Sequence, residues 1–120
     1  MYRFVAILLV LSLPQFASAE SVSFGAGLDQ DGGHIGGSAD SVNNAEATGR
    51  VHWSGTAITI ETGFVAQHFV HLEGRITRTN DPNLQDKWVI IDMLPADGTV
   101  IVQIQELNLT YTGSGRVAVR

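Results

Sequence analysis

The sequence predicts an all-β domain, a small antiparallel β-sandwich, with a small β-barrel as the alternative. Three observations carry that expectation. From Ala47 onward, short runs rich in Val, Ile, Thr, Trp, Phe and Tyr alternate apolar with polar side chains, as half-buried strands do. Turn residues (Gly, Pro, Asn, Asp, Ser) punctuate these runs about every ten residues. No helical insertion separates them, which sets aside an α/β fold.

Residues 1–19 have the three parts of an export signal. Arg3 gives a positive start, Phe4–Leu13 an apolar run of ten, and Ala17–Ala19 a small-residue cleavage site before Glu20. At about 1.5 Å per residue, that run falls short of the roughly 20 residues that span a bilayer. No other apolar run reaches spanning length, and the absence of cysteine leaves neither a lipid-carrying cleavage site nor a disulfide framework. The expectation is an exported protein, periplasmic or extracellular. Its mature chain of 101 residues makes one domain without a membrane span, held by its hydrophobic core.

Cleavage removes Arg3 and leaves six basic residues against twelve acidic ones, a formal −6. That balance argues against nucleic acid as a partner, because such binding draws on Lys and Arg to neutralise phosphates. The acids crowd the front: Glu20, Asp29, Asp31, Asp40 and Glu46 all precede Arg50. Gly25–Gly49 also holds seven of the thirteen glycines and few long apolar side chains. Glycine loses the most backbone entropy on ordering and buries nothing in return. Residues 20–46 are therefore expected to be an acidic, glycine-rich, partly flexible segment ahead of a β domain at 47–120, with strand character only at Ser21–Gly25. Two calcium templates fail in it. An EF-hand loop begun at Asp29 would have Gly33 at its fifth position, His34 where glycine is obligatory and Asp40 where a bidentate glutamate is needed. The nonapeptide G-G-x-G-x-D fails at Ala39. An irregular site at Asp29, Asp31 and Asp40 is left open behind a solvated acidic loop.

The first strand pair is "TGRVHW" and "TAITIE", with Ser54-Gly55 between. Apolar parity switches there, from Val51 and Trp53 to Ile58 and Ile60, as a two-residue turn or a bulge would make it. Next comes "GFVAQHFVHLEGR" (Gly63–Arg75). As one strand from Phe64, its even positions are apolar except His68, while its odd positions turn polar at His71, Glu73 and Arg75. A helix also fits, with Phe64, Val65, His68, Phe69 and Leu72 on one face and Gly74 ending it. The strand is favoured, since the run is short for a helix and "RITRT" continues it as strand. "NDPN" then breaks the chain before Lys87. "KWVIIDML" and "TVIVQI" flank "PADG", the clearest hairpin, whose proline and glycine suit its early and last positions. A second parity switch at Gln105-Glu106 marks a bulge or tight corner. "GSG" (Gly113–Gly115) is expected to turn the chain into a last strand, "RVAVR".

"LPADGTVIVQI" resembles a generic strand-turn-strand of an immunoglobulin-like sandwich, over one hairpin only. The sandwich expected is immunoglobulin-like or jelly-roll-like, but the Cys…Trp…Cys spacing of true immunoglobulin domains is absent.

For function, the histidines are the first place to look. A zinc site needs three or four ligands converging at about 2 Å. In a strand His68 and His71 face opposite ways, so only His71 and Glu73 can share an ion, with His52 as a third ligand from a neighbouring strand. "HFVH" lacks the glutamate base of H-E-x-x-H, and the spacing is also wrong for a cupin's H-x-H. No metal or other cofactor is expected. Nucleophilic catalysis lacks a cysteine and a G-x-S-x-G elbow, and Ser54 and Ser114 are explained by turns. No Gly-rich phosphate loop of standard spacing is present, and a domain this small offers little depth for a paired-carboxylate cleft. No catalytic residue is assigned.

The reading is a noncatalytic binding or interaction module, with an unidentified protein or carbohydrate as partner. Its binding residues are Trp53, His71, Glu73 and Arg75. Trp53, Trp88 and Tyr111 are sugar-stacking candidates if exposed, with Trp88, in its apolar strand, closer to the core than Trp53 beside a turn. The alternatives are a small metal-dependent secreted enzyme and a structural subunit that self-associates through edge strands. "NLT" (Asn108–Thr110) matches a glycosylation acceptor, a pattern too common to carry weight.

Overall fold

Eight strands run up and down in sequence order: β1 (Ser21–Leu28), β2 (Gly33–Asp40), β3 (Thr48–Trp53), β4 (Thr56–Val65), β5 (Val70–Arg78), β6 (Trp88–Leu94), β7 (Thr99–Ile104) and β8 (Leu109–Val119). The structure, a computed structural model, describes residues 21–41 and 46–120, so the leader expected at 1–19 lies outside the described residues. Each strand pairs antiparallel with its neighbour, and β8 returns to β1, with Val22 opposite Val119 and Leu28 opposite Gly113. The sheet thus closes into a barrel, the alternative expected from the sequence, in place of the sandwich. Among the described residues every strand therefore has a neighbour on each side, and no edge strand of the kind invoked for self-association is present. No helix among the described residues is long and apolar enough to cross a membrane.

The inward positions fill the barrel. An eight-stranded barrel is about wide enough for side chains to occupy its interior. Here Val51, Ile58, Ile60, Leu72, Ile91, Met93, Val102 and Ile104 are essentially inaccessible within it. The alternation read from the sequence in β3, β5 and β7 is the alternation of interior and exterior, and β6, whose sequence reads as apolar on both faces, alternates in the same way.

Ser21–Asp40 is not the loose arm its composition suggested. It forms the hairpin β1–β2, in register from Ser21 opposite Asp40 to Leu28 opposite Gly33. Gly37 on β2 and Gly49 on β3 serve close approach between strands. A β-carbon on Gly37 would lie 2.3 Å from the Arg50 carbonyl oxygen, and one on Gly49 2.1 Å from that of Ser38. On β8, β-carbons at Gly113 and Gly115 would each lie 2.0 Å from a β1 carbonyl oxygen. Bare backbone at these points lets the sheet bend enough to close. "GSG" accordingly lies within the continuous strand β8 and does not begin a new one.

The expected turns are present at Ser54-Gly55, where both residues have positive φ (44° and 83°), and at Pro95–Gly98, where Gly98 has φ 77°. The parity switch at Gln105 is a 3₁₀ turn, Gln105–Leu107, closed by Asn108 in the left-handed region. "GFVAQHFVHLEGR" is neither one strand nor a helix. It holds the end of β4, a tight turn in which the Ala66 N–H donates to the Phe69 carbonyl, and the start of β5.

Candidate functional site

The turn inside that stretch decides what its histidines can do. It leaves His68 exposed at the tip, correcting the expectation of a core histidine. Beyond it β5 alternates: Val70, Leu72 and Ile76 point inward, and His71, Glu73 and Arg75 outward. The outward row predicted from parity therefore exists, and neighbouring strands meet it. Asp92 of β6 pairs with His71, Trp88 with Arg75, and Phe64 of β4 with His71.

These residues form a connected outer-face network. His71 Nδ1 lies 2.5 Å from Asp92 Oδ1, and His71 Nε2 lies 2.7 Å from Glu73 Oε2. The other Glu73 oxygen accepts from the Trp88 indole N–H at 2.7 Å. The Arg75 guanidinium sits 5.2 Å above the Trp88 ring centroid and donates to the Asp86 carbonyl at 2.9 Å, and its Nε lies 3.9 Å from Glu61. Phe64 stacks on the His71 ring at 5.8 Å between centroids.

Partial burial pushes the His71 pKa down, but the hydrogen bonds and charges of Glu73 and Asp92 outweigh it and hold the imidazole above its ordinary value. The Trp88 N–H, then the His71 ring, holds Glu73 below the usual carboxylate range. With a carboxylate on each nitrogen, the imidazolium form is favoured and both nitrogens donate. The two carboxylates lie on opposite nitrogens of the ring and do not converge on one point. No group of three side chains suited to a metal ion occurs among the described residues.

His52, the suggested third ligand, lies elsewhere. It pairs with Ala57 on β4, whereas His71 pairs with Phe64, seven positions further along the same strand, or about 23 Å of strand. His52 and His34 instead border a glycine-floored depression on the outer face of β1–β3 with Gly25, Gly27 and Gly36. The acidic triplet is scattered too. Asp29 accepts from the Thr112 N–H at the β1–β2 turn, while Asp40 lies at the far end of β2.

The two tryptophans exchange their expected places. Trp53 points into the barrel, 6% exposed, with its N–H donating to the Gly32 carbonyl at 2.7 Å, so it is not part of the outer row. Trp88 is half-buried on the outer face. Sequence reasoning missed Asp92 and Phe64, and placed Trp88 nearer the core than Trp53. Asp92 carried a usable signal: one acid inside the apolar run "WVIIDML" must face outward or be paired.

An apolar rim surrounds this charged centre. Phe64 is 49% exposed, Phe69 36% and Leu94 39%, the large hydrophobic side chains most open to solvent among the described residues. Phe64 and Phe69 meet at 5.9 Å. Ile90 and Ile101 are half-buried on outward positions of β6 and β7. Ser23, His34, Ser38, Arg50, His52, Ser114 and Arg116 are among the exposed outward residues on the other half of the circumference, with no large apolar side chain exposed beside them among the described residues. Comparison of the chain with protein-family models, curated proteins and solved structures finds no match.

Proposed function

We propose that the chain is an exported, noncatalytic binding module that engages a protein partner through the outer face of β4–β7. One observation carries the reading: Phe64, Phe69 and Leu94 stand exposed around the His71, Glu73 and Asp92 cluster on one side of a barrel whose interior is already filled. Exposed apolar side chains gathered around a few fixed polar groups are the usual make-up of a protein-binding surface. Phe64 and Trp88 are its natural anchors, since aromatic side chains dominate such interfaces. The export expectation rests on residues 1–19 and is part of the proposal.

The test is affinity capture from the exported fraction of producing cells, with wild-type protein, Phe64→Asp and Ser38→Asp as matched baits of verified fold. A partner retained by wild type and Ser38→Asp but lost with Phe64→Asp supports the reading. Equal retention by all three refutes it, as does a bait that retains nothing. The metal-dependent enzyme is separated by calorimetric titration with Zn²⁺: a stoichiometric site abolished by His71→Ala would replace the binding reading.

A further inference from the structure

A second concavity lies at one end of the barrel, away from the outer-face cluster. Strands in an up-and-down barrel turn alternately at its two ends. The turns β1–β2, β3–β4, β5–β6 and β7–β8 all fall at this end, and a cavity of about 340 Å³ opens among them. Its volume is at the small end of ligand pockets, and barrel mouths are a common place for them.

The lining is half apolar and half polar in character. Trp53 and Tyr111 form an edge-to-face pair at 5.5 Å, and the hydrogen bond from Trp53 to Gly32 fixes the indole. Around them stand Asp31 on the β1–β2 turn and Asn80 and Asp81 on the β5–β6 loop. Among the described residues, the Asp31 carboxylate, the Asn80 amide and the Tyr111 hydroxyl have no hydrogen-bond partner. The Asp81 carboxylate uses one oxygen on the Asn83 N–H. Among the described residues, no Lys, Arg or His lines the cavity.

We propose that this mouth binds one neutral sugar residue. The half-buried Tyr111 ring, held edge-to-face by the buried Trp53 indole, offers the C–H face of a pyranose an apolar contact. Two carboxylates and an amide can accept from vicinal hydroxyls, and the amide and phenol can donate in return. The two acids, with no cation among the lining residues, select against phosphorylated and carboxylated ligands. The small volume fits a monosaccharide or the terminal residue of a glycan, not an internal stretch of chain. The site shares no residue with the proposed protein-binding face, so either can fail alone.

The experiment is a titration of isotopically labelled protein, followed by amide and indole NMR signals, with the methyl glycosides of glucose, galactose, mannose and N-acetylglucosamine. Glucose 6-phosphate and choline serve as counter-probes for anionic and cationic ligands. The expected result is saturable, millimolar-range movement of the Gly32, Asn80 and Trp53 indole signals with at least one glycoside. Asp31→Asn keeps a residue that tolerates the positive φ of 64° there, and Asn80→Ala alters an exposed loop position, so both should fold. Each is expected to weaken binding about tenfold, the loss of one hydrogen bond to the ligand. No saturable movement with any of the four glycosides overturns the proposal. So does tighter binding of choline or glucose 6-phosphate, and so does glycoside binding unchanged in both variants.

Discussion

Replacing Gly115 by alanine should destabilise the barrel by about 3 kcal/mol, while the same change at Gly25 on the facing strand should be nearly silent. Gly115 points inward on β8 opposite Ala26. A β-carbon there would lie 2.0 Å from the Gly25 carbonyl oxygen and 2.7 Å from the Ala26 Cα, backbone atoms that cannot swing aside. The methyl group therefore has to push β8 from β1 at the seam where the barrel closes. Overpacking costs about 1–3 kcal/mol, and a clash against backbone belongs at the top of that range. Gly25 has open space around its would-be β-carbon and no positive φ, so alanine there should change stability by about 0.5 kcal/mol or less. For a domain of this size, about 3 kcal/mol lowers the melting temperature by roughly 12–24 °C. Thermal unfolding of both variants by circular dichroism measures the difference, and hydrogen exchange at β1 and β8 amides locates it. Equal melting temperatures for Gly115→Ala and Gly25→Ala would refute the account of closure by inward glycine.

Four further outcomes follow. Glu73→Gln should lower the His71 pKa, read by NMR titration of the imidazole, because one of its two carboxylate partners loses its charge; an unmoved titration would count against the cluster. The folded pKa of His71 is raised, so its contribution to stability is fully present below the unfolded value of about 6.5 and is lost as pH rises through the folded value. Glu73 is lowered, so its contribution is present above about 4.3 and lost as pH falls through its folded value. Urea midpoints should therefore be highest between these limits, and His71→Asn should flatten the alkaline side. Trp53→Phe removes the donor to the Gly32 carbonyl and should cost about 1–2 kcal/mol in urea unfolding, with faster exchange in the β1–β2 turn. Ile91→Ala, at a fully inaccessible position, should cost about 2–5 kcal/mol by the same assay; a cost below about 1 kcal/mol would contradict a filled interior.

The candidate site was partly legible. His71, Glu73 and Arg75 could be assigned to one face because side chains alternate along any strand, whatever that strand pairs with. Their partners were not legible, because Asp92 and Trp88 meet them only through the β5–β6 register, across a nine-residue loop. His68 was misplaced for a related reason. Parity was carried through Ala66–Phe69 as though the strand were continuous, and the turn there has no Gly or Pro to announce it.

The sequence by itself determined the all-β class, the hairpins at Ser54-Gly55 and Pro95–Gly98, and which side chains of β5 and β7 leave the solvent. These follow from alternation and turn chemistry, which act over a few residues. The tertiary structure decided that the sheet closes, that the glycine-rich front forms two of its strands, and that Trp53 lies inside while Trp88 lies outside. A sandwich and a barrel share the same alternation, and only the pairing of Val22 with Val119, almost a hundred residues apart, distinguishes them. Glycine reads locally as freedom of the chain. Where another strand's carbonyl oxygen would lie 2.0 Å from its missing β-carbon, it is the condition for closing the barrel.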